Sequence, residues 1–352
     1  MTLIARGSRS DVPKNCNFLP LSESGTFPGW RLVRQMQGWF LAVRSRASVI
    51  IIHDPDLLPV GIVVQILPLQ RRIIFDSHED YVEKFSSRWV ASFPGWLLSL
   101  SFRVMLKIFL YVGGKFFAPT ESICEQLGST ASTLVPNQPS AAMNKKLVES
   151  LETLESCSPL DCRQVFRVVY VGSIAAARSL QTWIDPLTRL EGAPLEIVLA
   201  GPVAKNARAW LHVGLQDSTV SYIGEVNYLE VPALLSTADC GVIILPNTKA
   251  YREGIPTKLY EYLGSGLPVV MSNFESFRKV VDEVNGAGFY CDPDDEKSVQ
   301  DAFRAARYFA SMDSLSDRKE RSQRSIMRFG WEYHARRYVE VVSSLCQSSR
   351  AG

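Results

Sequence analysis

Tyr251-Arg252-Glu253-Gly254-Ile255-Pro256-Thr257-Lys258-Leu259-Tyr260-Glu261-Tyr262-Leu263-Gly264-Ser265-Gly266-Leu267-Pro268-Val269-Val270 reads as loop, helix, tight cap and buried strand, in that order. Gly254 and Pro256 mark the start of the helix, because a proline in a first turn gives up an N–H that has no intrahelical partner anyway. Gly264 and Gly266 suit the left-handed backbone that ends a helix. The apolar run from Leu267 to Met271 then reads as a strand of a parallel sheet. A loop that opens into a helix in an α/β domain presents free N–H groups and the positive end of the helix dipole, which together make an anion site.

Two carboxylates punctuate the stretch, Glu253 in the loop and Glu261 in the helix, with seven residues between them. On one continuous helix they would stand roughly 80° apart around the axis and about 12 Å apart along it. That separation suits two ends of one elongated ligand, such as a nucleotide sugar: phosphates at the helix start, ribose hydroxyls at one carboxylate and sugar hydroxyls at the other. The spacing alone fits an ordinary amphipathic helix with surface glutamates equally well.

The residue types narrow the choice. Pro256-Thr257-Lys258-Leu259-Tyr260-Glu261-Tyr262, with glutamates flanking seven residues and Gly266-Leu267-Pro268-Val269-Val270 in register behind it, is similar to the donor-binding motif of retaining GT-B glycosyltransferases of the GT4 type. The resemblance implies an α/β protein of two Rossmann-like domains whose parallel sheets face a cleft. It implies that Glu261 binds the ribose hydroxyls and that Glu253 faces the donor sugar. It also implies that the backbone of Gly254, Ile255, Pro256, Thr257 and Lys258 cradles the diphosphate.

The bulk properties agree with two folded domains. The chain has 352 residues, 46% hydrophobic and 21% charged, enough for two cores and too apolar for disorder. A net charge of +2 gives no case for nucleic acid as a partner. The seven cysteines are scattered without a Cys-x-x-Cys, which argues against a zinc motif or a disulfide framework and for a reducing compartment. No signal peptide is visible and no uncharged apolar run reaches the roughly 18 residues of a membrane span. The expected location is the cytoplasm, with the protein soluble or peripheral to a membrane.

In the first half, Thr2 to Ala5 and Asn17 to Leu21 read as strands, and Trp30 to Ala47 as an amphipathic helix with a solvated arginine face. Ser48 to Ile52 is a buried parallel strand that delivers His53-Asp54-Pro55-Asp56 at its carboxyl end. Arg72 to Phe75 delivers Asp76-Ser77-His78-Glu79-Asp80 in the same way. Ligands of open α/β sheets gather at such ends. Metal binding is one reading of two His/acid clusters, but the spacing matches no compact zinc motif, and we expect no metal. His-Asp-Pro-Asp-Leu-Leu-Pro followed by Asp-Ser-His-Glu resembles a bacterial subgroup of the same transferases that acts in surface-polysaccharide assembly. By that resemblance His53 contacts the donor sugar beside the bond being broken. Asp54 stabilises its loop or tautomer, and His78 and Glu79 line the acceptor cleft. Ser92 to Val112 is a long apolar helix with a narrow polar stripe at Ser99, Arg103 and Lys107. It is either buried nearly all round or interfacial. Lipid-linked acceptors, common in the family, would place it at the inner face of the membrane.

Ser140 to Cys162 is polar, with charges of both signs and no strand signal, and reads as a linker between domains at 1–139 and 163–330. Phe166 to Val171 is a buried strand running into Gly172-Ser173-Ile174 and Arg178. In the family this strand precedes Gly-Arg-x-x-x-x-Lys, whose cations grip the diphosphate; here Ser173 replaces the arginine and Arg178 the lysine. Arginine is a competent phosphate clamp. Lys258 offers a second cation. By the same resemblance the turn at Gly201 lies near the nucleotide, and the backbone of Gly224, Glu225 and Val226 reads the base. Residues 331–352 are expected to form a last helix crossing back to the first domain, after a kink at Phe329-Gly330-Trp331. Family members begin with one more strand, loop and helix, so the first domain is expected to lack its first βα unit.

The expected activity is transfer of a sugar from a nucleotide diphosphate sugar to a glycan or lipid-linked acceptor, with no cofactor. A non-catalytic nucleotide-sugar-binding subunit and a sugar-nucleotide epimerase of the same fold are the alternatives.

Overall fold

The computed structural model describes residues 2–5, 16–21, 30–67, 71–78, 81–86, 94–127, 132–156, 165–192, 194–214 and 217–348. The chain divides into two compact units. One comprises Met1–Pro136 with Arg336–Gly352, the other Asn137–Ala335.

The first unit holds β1 (Thr2–Ala5), β2 (Asn17–Pro20), α1 (Trp30–Arg44), β3 (Val49–Ile52), α2 (Leu58–Ile66) and β4 (Arg72–Asp76). It continues with α3 (Tyr81–Ser86), α4 (Gly95–Tyr111), β5 (Lys115–Ala118), α5 (Glu121–Leu127) and β6 (Ser132–Leu134). β3, β4, β5 and β6 form a parallel sheet in chain order, while β1 and β2 form a separate parallel pair among the described residues. Strands covered on both faces read as unbroken apolar runs. Accordingly Ile73, Ile74, Phe75 and Phe117 are fully buried, and Trp39, Leu58, Phe102 and Phe109 pack into the core formed around the sheet. Gly114 leads from α4 into β5, and a Cβ there would sit 2.4 Å from the Phe109 ring.

α4 has two apolar faces. Phe102, Leu106 and Phe109 face the core, and Ser99 is buried with them, its hydroxyl donating to the Val82 carbonyl at 2.8 Å. The expected polar stripe is therefore split, with Ser99 inside and Arg103 and Lys107 outside. The outer face also carries Trp96, Leu100, Val104, Ile108 and Tyr111, with Trp96 61% and Tyr111 92% exposed. Among the described residues no helix is long and apolar enough to cross a membrane.

The second unit opens with α6 (Ala141–Ser156), in the stretch read from sequence as a linker. Met143, Leu147 and Leu151 recur every fourth residue and bury one stripe of this helix with Asn144 beside it, so most of its polar remainder is the solvated face. Then follow β7 (Phe166–Val171), α7 (Gln181–Thr188), β8 (Leu195–Ala200), α8 (Arg208–Gly214), β9 (Val220–Tyr222), α9 (Val231–Ser236), β10 (Cys240–Ile243), α10 (Lys249–Glu253), α11 (Thr257–Gly264) and β11 (Val269–Ser272). The unit ends with α12 (Glu275–Asp282), β12 (Gly288–Cys291), α13 (Glu296–Met312), α14 (Leu315–Phe329) and the start of α15 (Trp331–Ser348). From Arg336 onward α15 belongs to the first unit, where the Tyr338 ring lies 4.7 Å from that of Phe117.

All six strands are parallel, in the order β12-β11-β10-β7-β8-β9. This is the doubly wound arrangement, and the strand order reverses between β7 and β10. Alternate residues feed the two faces: Val169 and Met271 pack on one side, Val168, Tyr170 and Val270 on the other. α14 is clamped beneath α11 by buried cations. Arg318 donates to the carbonyls of Ser265, Ala238 and Leu235 at 3.1, 3.0 and 2.9 Å. Gly266 (φ +66°) makes room, since a Cβ there would meet the Arg318 carbonyl oxygen at 2.1 Å. Arg321 donates to Asp313 at 2.8 Å, and both side chains are only 9% exposed.

Removing one partner of that pair strands the other charge in the interior. Arg321→Ala should lower unfolding stability by about 3–5 kcal/mol, read from the denaturant midpoint. An unchanged midpoint would show that Asp313 gains water or another donor.

Candidate functional site

The reversal between β7 and β10 leaves a gap at the carboxyl ends of the strands, and the sequence fills it in a definite way. β7 and β10 pair only at Val168 with Cys240 and Val169 with Gly241. Beyond those rungs the Val171 N–H donates instead to the Tyr262 hydroxyl of α11, at 2.9 Å. The Tyr262 ring lies where a side chain at position 241 would be, 2.5 Å from an added Cβ. Gly241 is therefore the socket in which α11 is seated.

The floor beside that helix is backbone. Gly172 follows β7, Gly201 follows β8 and Gly224 lies beyond β9, all with positive φ (+144°, +131° and +88°). The Gly172 N–H donates to Ala200 and the Gly201 N–H to Gly224, both at 2.8 Å. A Cβ on Gly201 would strike the Gly172 carbonyl oxygen at 2.3 Å. The space above Gly224 is open. Glu225 is exposed beside it, and Val226 packs partly against the core.

Lys258 reaches back over this floor. Its Nζ would lie 2.7 Å from a Cβ on Gly172 and sits 3.8 Å from the centre of the Tyr170 ring. Burial and then the nearby Arg178 charge hold its pKa down to about 7, against the opposing pull of Glu261. Glu261, one turn along, is 8% exposed, and burial raises its carboxyl to about 7 despite Lys258. Arg178 ends a short 3-10 turn and stacks over Tyr251 of α10 at 5.4 Å. The Tyr251 hydroxyl donates to the Ala177 carbonyl at 3.1 Å, tying the loop after β7 to the segment after β10. Ser173, exposed beside them, uses its carbonyl to accept from the Tyr170 hydroxyl at 2.9 Å.

Several sequence expectations change here. Glu253 is the last residue of the short helix α10, and Gly254, Ile255 and Pro256 separate it from α11, so the two glutamates do not share one continuous helix. Pro256 is the extended N-cap of α11, outside its first turn. Gly264 is still helical and gives close passage to Leu147; only Gly266 is left-handed. The strand begins at Val269, after Leu267 and Pro268. The expected cradle from Gly254 to Lys258 is also narrower. The Gly254 N–H is spent on the Ala250 carbonyl at 3.1 Å, and Pro256 has none. The opening N–H groups of α11, at Thr257 and Lys258, are those a helix cannot satisfy itself. Sequence reasoning gave no role to Tyr251 and Tyr170, which face the Arg178 and Lys258 cations, or to the hydroxyl of Tyr262, which accepts the Val171 N–H. A glycine in mid-strand at 241 was the available signal.

The first unit carries a second cluster. His53 follows β3, and Asp76 closes β4 with its side chain buried. His53 Nδ1 lies 3.1 Å from His78 Nε2 and 3.5 Å from Asp76 Oδ2, with the imidazole planes 12° apart. Desolvation lowers the His53 pKa below the ordinary histidine value, Asp76 opposing and His78 assisting, although solvent at the half-open ring limits this. Desolvation likewise raises Asp76, against both histidines. Asp54 caps the turn Pro55–Leu57, its carboxylate accepting the Asp56 N–H at 3.2 Å. Glu79 lies outside the described residues. The spacing in sequence argued against a metal, yet the ligand-type atoms of His53, Asp76 and His78 all lie within 4.8 Å of one another. Two neighbouring strand ends brought together what linear spacing kept apart.

Comparison with known proteins follows this geometry. Residues 165–306, within the second unit, match the family described as Glycosyl transferases group 1. A sequence search of curated proteins finds no match. Sucrose-phosphate synthase from Thermosynechococcus elongatus superposes with a TM-score of 0.69 at 15% identity, covering 98% of this chain and 88% of that one. HepE from Anabaena, solved with UDP, gives 0.67 at 14% identity over 94% of this chain and 86% of its own. The α,α-trehalose 6-phosphate synthase of Burkholderia multivorans gives 0.64 at 13% identity, covering 93% and 78%. The chain has the α/β fold of the GT-B glycosyltransferases.

Proposed function

We propose that this chain is a retaining glycosyltransferase of the GT4 type. It moves a sugar from a nucleotide diphosphate sugar to a glycan or lipid-linked acceptor in polysaccharide assembly. The observation that carries this reading is the meeting of Lys258, Arg178 and Glu261 with a glycine floor where the strand order reverses. It is supported by the group 1 match over the same residues and by HepE, a protein of like fold solved with UDP.

Chemically, transfer needs charge stabilisation on the departing diphosphate. Arg178, Lys258 and the opening N–H groups of α11 supply it as a preorganised set. These groups carry the positive charge that the step requires, so we assign no metal or cofactor to it. Glu261 accepts from the ribose hydroxyls, and the backbone of Gly224, Glu225 and Val226 borders the base. By the same reading Glu253 is assigned to the hydroxyls of the donor sugar and His53 to the sugar beside the bond being broken; no covalent nucleophile is assigned. His78 and Glu79 serve the acceptor. The outer face of α4, apolar with Arg103 and Lys107 in it, rests on the inner face of a membrane, where lipid-linked acceptors reside.

Incubation with a panel of nucleotide sugars and candidate acceptors tests the activity. Wild-type protein should give transfer product, and His53→Ala should lose about a hundredfold or more in rate while keeping nucleotide affinity. Absence of turnover with every donor would overturn the reading. Glu261→Ala should weaken binding of the matching nucleoside diphosphate by about tenfold or more in calorimetry; unchanged affinity would remove its ribose role.

The shift of Lys258 to about 7 sets a pH dependence. A bound diphosphate favours the protonated amine and raises its pKa, so affinity should fall as pH rises above about 7. Glu261, raised to about 7, titrates over the same range, and because its ionised form is the better acceptor for ribose hydroxyls its slope opposes that of Lys258. Lys258→Met should remove the fall; an equal slope in both proteins would assign it elsewhere. For the outer helix face, sedimentation with anionic vesicles should retain wild-type protein and release the Trp96→Ser, Leu100→Ser double variant. Equal retention would remove α4 from the membrane contact.

A further inference from the structure

We propose that His53, Asp76 and His78 form a binding site for a divalent transition metal, of which Zn2+ is the best fit. The inference is separate from the donor site and does not rest on the transfer reading.

The sheet builds the site. Ile52 is in register with Phe75 on adjacent parallel strands, so the next residues, His53 and Asp76, stand level at the strand ends. His78 lies two residues further on, where the chain bends just past the strand and brings its ring back beside His53. The result is one nitrogen from each of two rings and one carboxylate oxygen, all within 4.8 Å. Ligand nitrogens on a tetrahedral zinc stand about 3.3 Å apart, given bonds of about 2.0–2.1 Å. The separations of 3.1 Å and 3.5 Å about His53 Nδ1 bracket that value, and the remaining pair, His78 and Asp76, lies within 4.8 Å and closes on the metal by rotation of the exposed His78 side chain. Asp76 is buried and held in the sheet, while both histidines are open to solvent, which gives an anchored ligand and an entry path.

The donor set selects the ion. Two imidazoles and a carboxylate suit zinc, cobalt or nickel, whereas magnesium and calcium take oxygen ligands. Three protein ligands leave further coordination positions for water or a hydroxyl-bearing ligand. On binding, each nitrogen lends a lone pair to the metal. The proton that one ring places between them moves to that ring's other nitrogen, so no redox step or co-reactant is involved.

The test uses the full chain, stripped with chelator and titrated with Co2+, whose visible spectrum reports low-coordinate nitrogen and oxygen ligation, followed by displacement with Zn2+. One Co2+ per chain should bind and be displaced. His53→Ala and His78→Ala should each weaken binding by at least about tenfold, and Asp76→Asn, which keeps the shape but loses the charge, should do the same. His334→Ala, outside the cluster, should bind as wild type. Circular dichroism reports folding, and the two exposed histidine variants keep the test intact if Asp76→Asn does not fold. Failure of Co2+ to bind saturably, or binding that survives the His53→Ala, His78→Ala double variant, would overturn the proposal. Because no nucleotide is present, either outcome leaves the transferase reading where it stands.

Discussion

The seating of Tyr262 against Gly241 governs the geometry of the second unit. At the reversal of strand order, β7 and β10 stop pairing before β7 ends, and an N–H would be left without a strand partner. A buried phenol takes that N–H, and its ring occupies the volume a side chain at 241 would claim. One residue thus satisfies a backbone donor, fills a void and fixes the rotation of α11. Once that rotation is fixed, Lys258 falls over Gly172, and Glu261 is buried a turn away. The far end of α11 is held equally firmly, by Arg318 lying against Gly266 and by the Ser322 hydroxyl donating to the Gly264 carbonyl at 2.6 Å. Both ends of a two-turn helix are therefore determined by packing, which propensity alone does not do for so short a segment.

The electrostatics follow from that placement. A lysine beside an arginine, both near a glycine floor, is a poor arrangement for stability, because burial and like charge disfavour the ammonium. Glu261 compensates only in part, since burial pushes its own carboxyl toward neutrality. An anion over the floor would relieve the strain on both cations, which is why such an arrangement is retained at binding sites and rare elsewhere. Tyr170 and Tyr251 hold the cations through their ring faces and leave the charged heads directed by geometry.

The first unit solves a different problem with the same sheet logic. Parallel strands end level with one another, so polar residues placed just past the apolar runs converge without any local motif. Asp76 is held at the sheet while His53 and His78 stack in front of it at 5.2 Å between ring centres. α4 buries Phe102, Leu106 and Phe109 and still presents tryptophan, leucine and tyrosine outward, an arrangement in which one helix both completes a core and offers an apolar surface.

Much of this was legible in the chain itself. Apolar runs such as Val49–Ile52 and Val168–Val171 read as strands covered on both faces, and their alternation with amphipathic stretches points to a parallel α/β architecture. The glycines after β7 and β8, the Pro-x-Lys-x-x-Glu-Tyr segment and the histidines at strand ends were likewise visible as short patterns, because each depends on neighbours within a few residues. α6 was missed because its buried stripe is three residues in a polar background, and only the partner surface reveals which side matters. The break between α10 and α11, the loss of the Gly254 N–H to Ala250, and the convergence of Asp76 with two histidines were decided by tertiary structure. Each depends on which strands lie side by side and which backbone donors they leave over, and long-range pairing of that kind leaves no periodicity in the sequence that produces it.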